Sequence, residues 1–199
     1  MSADETFPNL LIVIGASAGG LQPIKSILAE LPEDLQATII VATHRDPKIS
    51  GNVLAEILDR AADMQVQEPL QNDHLDCATI YVGKPKDTVS VTGRNIHLQR
   101  LFDDFGRLHR IDELFLSAAQ SAKENAVGVI LSGMLYDVVQ GLQAIATAGG
   151  KCIVQDPADA SFDSRPRQAL AAVQADFVGT AEEIAQLIIQ LAADRECRR

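Results

Sequence analysis

The chain reads as an α/β protein: a three-layer αβα domain with a mostly parallel, doubly wound sheet and an appended antiparallel hairpin. Three observations carry that reading. Strand-like and helix-like stretches alternate along almost all of the 199 residues. Thr38-Ile39-Ile40-Val41, Val127-Gly128-Val129-Ile130-Leu131 and Cys152-Ile153-Val154 are continuously apolar rather than alternating. Strands covered by helices on both faces have this pattern, which argues for a parallel sheet. Between 79 and 100 the rhythm breaks into short strand-like pieces joined by Lys84-Pro85-Lys86-Asp87 and Thr92-Gly93-Arg94-Asn95, as in an antiparallel hairpin or meander.

Taken in order, the first strand falls near 10–14, where Leu11-Ile12-Val13-Ile14 runs into the turn Gly15-Ala16-Ser17-Ala18-Gly19-Gly20. A helix near 21–30, a strand near 38–42, a helix near 51–62 and a strand near 64–67 follow. The pieces 79–83, 87–92 and 95–100 make the hairpin or meander, and 111–124 is the next helix. The chain then alternates strand 126–131, helix 138–148, strand 151–155, helix 166–173, strand 176–178 and helix 181–193. Pro166 suits the first turn of its helix. Thr180 and Glu183 form a capping box in which each side chain satisfies the other residue's open backbone N–H. With no repeat or long linker in view, one domain is expected over 1–199, with a core over about 8–193.

Composition narrows the function classes. Apolar residues make up 47 % and charged residues 22 %, as in soluble globular proteins. No apolar run approaches the roughly 18 residues of a membrane span, and Met-Ser-Ala-Asp-Glu lacks a basic signal-peptide start. Cys77, Cys152 and Cys197 show no C-x-x-C spacing. The expectation is a cytoplasmic protein without disulfides, structural zinc or membrane insertion. The net charge is −10 from 17 basic and 27 acidic residues, with no basic stripe, which argues against a nucleic-acid partner. Aromatic residues are 4 % and tryptophan is absent, so base-stacking platforms are lacking too.

The first turn carries the strongest chemical signal. Gly15-Ala16-Ser17-Ala18-Gly19 fits G-x-S-x-G, in which a sharp strand-to-helix turn lifts a serine hydroxyl above a sheet edge. Such a turn favours glycine, and the N–H groups opening the helix favour developing negative charge. The same glycines could instead cradle a phosphate. However, Ser17 replaces the second glycine of the dinucleotide fingerprint, and no Gly-Lys-Ser/Thr follows for a P-loop.

Ligands of open parallel sheets bind where the strands' carboxyl ends converge. After the apolar runs come Ser17; Thr43-His44-Arg45-Asp46; Ser132-Gly133-Met134-Leu135-Tyr136-Asp137; and Asp156. A hydroxyl, an imidazole and carboxylates are the members of a nucleophile–base–orienter triad. Histidine accepts the serine proton and returns it to the leaving group, and a carboxylate fixes the ring tautomer. Asp137, Asp156 and Asp46 remain alternatives for the carboxylate, and Asp137 is equally suited to cap the helix behind it. His74 and His97 fall in a turn and the hairpin and read as surface residues.

On these residues the chain resembles the chemotaxis protein-glutamate methylesterases of the CheB type. Ile14 to Leu21 resembles that family's nucleophile turn, and His44 falls where it carries a histidine after the second strand. Ile80-Tyr81-Val82-Gly83 with Pro85, Ile130-Leu131-Ser132-Gly133-Met134 with Asp137, and Gln155-Asp156-Pro157 through Pro166-Arg167 match further family motifs in order. Ala18 and the pair Ile111-Asp112 are similar to the methylesterase-like domains fused to methyltransferases and sensor kinases.

The resemblance implies a Ser17–His44–Asp137 hydrolase of γ-glutamyl methyl esters on chemoreceptor cytoplasmic helices, with possible glutamine deamidation. Backbone N–H groups of Ala18 and Met134 would hold the oxyanion, and neither metal nor cofactor is implied. The chain departs from the family where Leu135 and Val138 replace the glycines of Met-Gly-x-Asp-Gly, and where Ser164-Arg165-Pro166 replaces Gly-Met-Pro. Side chains at 135 and 138 would be strained wherever those positions need positive φ, leaving the path to Asp137 open. A receiver domain is absent from this sequence. The alternative expectation is a catalytically impaired methylesterase-like module that binds within a signalling system.

Overall fold

The computed structural model describes residues 10–46, 51–100, 104–134, 139–193 and 195. Its strands are Leu10–Ala16 (β1), Ala37–Thr43 (β2), Gln65–Gln67 (β3), Thr79–Val82 (β4), Asp87–Thr92 (β5), Asn95–Arg100 (β6), Ala126–Ile130 (β7), Lys151–Gln155 (β8) and Phe177–Gly179 (β9). The helices are Leu21–Glu30 (α1), Val53–Asp59 (α2), Asp104–Ala122 (α3), Val139–Thr147 (α4), Ser164–Ala172 (α5) and Ala181–Ala193 (α6). Seven strands pair in parallel in the order β3-β4-β2-β1-β7-β8-β9, and β5 and β6 form a separate antiparallel ribbon.

The apolar runs follow from covering the sheet on both faces. Along β1, Ile12 and Ile14 point into a core shared with Ile24 and Ile27 of α1 and Ile184 and Ile188 of α6. Leu11 and Val13 point the other way, against Ile111, Leu114 and Phe115 of α3 and Leu142 of α4. Every residue of β1 is buried, so neither set of side chains can be polar without cost. Each such aliphatic side chain contributes roughly 1.5–3 kcal/mol by its removal from water.

From β1 the chain winds outward through β2 to β4 and β3, then returns to β1's other side at β7. The winding direction reverses between β1 and β7, which opens a crevice at their carboxyl ends. One buried carboxylate steadies the approach: Asp112 of α3 accepts the Gly141 N–H of α4 at 2.7 Å.

Several elements fall where the pattern predicts, α1, α6, β5, β6 and β8 among them. The piece at 79–83 is corrected. It is β4, pairing in parallel with β2 and β3, and only β5 and β6 make the hairpin. All four residues of β4 are buried, because this short strand lies inside the sheet. α3 begins at Asp104, earlier than the predicted 111, because Arg110 interrupts the apolar pattern. Arg110 is itself buried, donating to the carbonyls of Thr43 at 3.1 Å and Pro85 at 2.7 Å. Cys77 is disulfide-bonded, against the expectation of free thiols, while Cys152 is free and buried. No helix among the described residues is long and apolar enough to cross a membrane.

The capping box is present: Thr180 N–H donates to Glu183 Oε2 at 2.8 Å, and Glu183 N–H to Thr180 Oγ1 at 3.3 Å. Thr180→Ala is expected to lower the unfolding free energy by about 1 kcal/mol. Urea denaturation should show a lower midpoint at an unchanged slope.

Candidate active site

Ser17 follows directly on β1 and is held by main chain on both sides. Its N–H donates to the Ser132 carbonyl at 3.0 Å, and its own carbonyl accepts from Gly20 N–H at 3.0 Å. The positive φ that the turn needs falls on Gly19, at 73°, rather than on Ser17. A Cβ on Gly19 would lie 2.8 Å from both Ser132 Oγ and Ser161 Cβ, and 2.9 Å from Phe162 Cδ2. The glycine is therefore required twice, for its conformation and for its missing side chain. The N–H groups of Ala18 and Met134 take no acceptor among the described residues, and α1 opens at Leu21 directly behind the turn, where a helix's first N–H groups are left open.

His44 follows β2, in a segment fastened by two arginines. Arg45 donates to Asn52 Oδ1 at 2.6 Å and to the Gly83 carbonyl. Asn52, itself buried, donates to the Val82 carbonyl at 2.8 Å. Burial, and next the neighbouring charge of Arg110, lower the Arg45 pKa to about 10, so the group stays charged at neutral pH. Ser17 and His44 line one open cavity of about 270 Å³, with Leu21, Ile24, Leu54 and Ile57 as its apolar wall. No hydrogen bond joins the Ser17 hydroxyl directly to His44 among the described residues. Uncomplexed catalytic sites are often loose in this way.

The candidate orienters separate. Asp156 is engaged in its own turn, accepting the Ala158 N–H at 2.8 Å. Asp46 is exposed at the end of the His44 segment. Asp137, Leu135 and Val138 lie outside the described residues. The remaining histidines sit elsewhere: His74 bridges to Asn95, His97 meets Gln71 at 3.2 Å, and His109 is exposed on α3. Burial pushes the Cys152 thiol up to about 11, which makes it a poor nucleophile. Among the described residues, no cluster of three or more His, Cys, Asp or Glu could hold a metal ion.

Five residues shape the site without having been assigned a role from sequence. Ser132 Oγ donates to the Ala18 carbonyl and accepts from Phe162 N–H, both at 2.9 Å. Ser132 N–H donates to Gln155 Oε1 at 2.9 Å, joining the ends of β7 and β8. Gly133 N–H donates to the Phe162 carbonyl, and Arg165 N–H donates back to the Gly133 carbonyl, both at 3.0 Å. Arg165 is fully buried, with Nη2 at 3.2 Å from His44 Nδ1. The signal for Ser132 was its place at a strand end. The signal for Arg165 was its departure from the Gly-Met-Pro motif.

The fold is a doubly wound αβα domain that places a serine on a strand-to-helix turn and a histidine at the neighbouring strand end on one shared cavity. The model of the CheB methylesterase family matches residues 12–188, and the chain belongs to that family. It is 33 % identical over 189 residues to a Leptospira interrogans protein provisionally named protein-glutamate methylesterase/protein-glutamine glutaminase, covering 90 % of this chain and 93 % of that one. A Bordetella parapertussis protein-glutamate methylesterase/protein-glutamine glutaminase is 32 % identical over 190 residues, covering 93 % of this chain. The chain spans only 54 % of that relative's length. The Thermotoga maritima CheB methylesterase catalytic domain shares the fold, with a TM-score of 0.84 over 92 % of this chain and 98 % of that one at 24 % identity.

Gly19→Ala is expected to cost about 1–2 kcal/mol from its backbone conformation alone. The clash with Ser132 and Phe162 adds to that, so thermal unfolding should shift down by more than for Gly93→Ala, where φ is 57° and no atom lies within 4 Å.

Proposed function

We propose that the chain is a carboxylic ester hydrolase of the protein-glutamate methylesterase type. It would act as one domain in the cytoplasm on γ-glutamyl methyl esters of methyl-accepting chemoreceptor helices, or of a related signalling protein. Glutamine deamidation is the amide counterpart of the same chemistry. The observation that carries the proposal is the placement of Ser17 and His44 on one cavity, with the Ala18 N–H, which has no acceptor among the described residues, next in the chain to the serine. Family membership and the names of the relatives support the same activity.

In this mechanism His44 takes the Ser17 hydroxyl proton as Oγ bonds to the ester carbonyl carbon. The oxyanion lies against the N–H groups of Ala18 and Met134, which stabilise charge that exists only along the reaction path. As the intermediate collapses, the carbon–methoxy bond breaks and His44 returns the proton to methanol. Water, activated by His44, then attacks the acyl-serine and releases the glutamate carboxylate. Asp137 is the proposed orienter of His44, by family motif. No step calls for a metal or cofactor.

A second reading, a binding module that grips its partner without turnover, is favoured by one observation: the ring nitrogen Nδ1 of His44 faces a guanidinium. Methanol release from a methylated receptor-helix peptide separates the two. Ser17→Ala is expected to reduce the rate by about 10³-fold or more, and Asp137→Asn by about 10²–10⁴-fold. Equal rates for wild type and Ser17→Ala would leave the binding module as the surviving reading.

A further inference from the structure

The cavity beside Ser17 is larger and more apolar than a glutamyl ester needs. Leu21 and Ile24, one turn apart on α1, line it, as do Val53, Leu54 and Ile57 of α2 and Pro85 after β4. Its volume is about 270 Å³. At the volume of liquid water, that is room for about nine water-sized groups. A γ-glutamyl methyl ester reaches a serine on a short stem fixed to a polar main chain, and such a stem leaves most of this space unfilled.

The walls are held apart by the fold. Ile24 is fully buried in the core that α1 shares with β1, which fixes the α1 side. On the other side, Leu58 of α2 is buried in the same core. Asn52, the residue before α2, donates to the Val82 carbonyl at 2.8 Å and accepts from Arg45 Nη1 at 2.6 Å. Arg45 also lines the cavity, but two of its guanidinium nitrogens are directed at Asn52 and the Gly83 carbonyl. Its apolar stem remains available as wall. Leu54 and Ile57 are half-buried, and Leu21 and Val53 are exposed. A preformed concave site of mostly apolar lining, with few polar groups at one place, is the usual form of a small-molecule site.

We propose that this cavity is an acyl-chain site, and that the protein hydrolyses esters of unbranched, medium-chain carboxylic acids as a further activity. The acyl chain lies between α1 and α2 with its carbonyl at Ser17. The chemistry is that of the hydrolase described above: the Oγ–acyl bond forms as the bond to the alcohol oxygen breaks, and His44 carries the proton from Oγ to the alcohol. Water then releases the carboxylic acid. The activity rests on Ser17 being the nucleophile, whereas the chain site rests on the cavity alone.

The test uses the full chain on p-nitrophenyl acetate, butyrate, hexanoate, octanoate and decanoate, each corrected for the rate with Ser17→Ala. In the wild type, kcat/KM is expected to rise roughly fourfold per added methylene. The rise should stop near octanoate, where the chain fills the cavity. It should appear mainly as a falling KM, because apolar burial stabilises bound substrate and transition state alike. Ile57→Trp fills the cavity and is expected to move the optimum to butyrate, lowering the octanoate-to-acetate ratio by about tenfold or more. Leu54→Ala enlarges it and is expected to move the optimum to decanoate. A merely structural role would lower all five esters together. If one variant does not fold, the other decides.

A flat chain-length profile with Ser17-dependent turnover overturns the acyl site and leaves the hydrolase reading standing. An optimum that stays in place in the folded variants overturns it as well. If no ester shows Ser17-dependent turnover, the hydrolase reading and the further activity both fail. The chain site is then decided by calorimetric binding of octanamide and butanamide to the wild type. Octanamide binding about tenfold or more tighter, and weakened by Ile57→Trp, supports the site; equal binding, or none, overturns it.

Discussion

The site depends on the hydrogen bond from Ser17 N–H to the Ser132 carbonyl. It ties the end of β1 to the residues leaving β7 at the point where the winding of the sheet reverses. Everything around the cavity is referenced to that bond. Ser132 passes the constraint on through its hydroxyl to Ala18 and Phe162 and through its N–H to Gln155, so strand ends and loops are tied to one another. The depth of the anchor comes from β1 itself, which is buried along its whole length. A turn grafted onto so rigid a strand can hold a hydroxyl without loop reorganisation, which is the condition for electrostatic preorganisation.

Charge around the cavity is arranged against the average of the chain. The net charge is −10, yet three arginines, Arg45, Arg110 and Arg165, meet the strand ends and side chains around the site. Arg45 and Arg110 are directed at main-chain carbonyls of β2, β4 and their neighbours, and so act as fasteners for the His44 segment. Arg165 differs in that it also meets a titratable ring. Burying a cation costs several kcal/mol unless it is well paired, so such a group is retained only where the surrounding structure supports it.

The fold was legible because its determinants are local and periodic. Continuous apolar runs mark strands covered on both faces, and the Thr180–Glu183 cap is written within four residues. The 79–83 segment was misread because its neighbours in sequence are hairpin strands, whereas its hydrogen-bond partners, β2 and β3, lie elsewhere in the chain. α3 was read short because Arg110 looks like a surface residue until two carbonyls are seen to receive it. Ser17 and His44 were singled out by the G-x-S-x-G turn, by their strand ends and by the family resemblance, and the two line one cavity. Arg165 was visible only as a motif departure, since its meeting with His44 spans 121 positions and depends on the absence of a side chain at Gly133.

The central claim is that Ser17 is a nucleophile activated by this scaffold. Labelling the full chain with phenylmethylsulfonyl fluoride, followed by peptide mass mapping, tests it most directly. The account predicts a sulfonyl adduct on Ser17 in the wild type that is absent from His44→Gln. Failure of Ser17 to label in the wild type, with the fold intact, would contradict it.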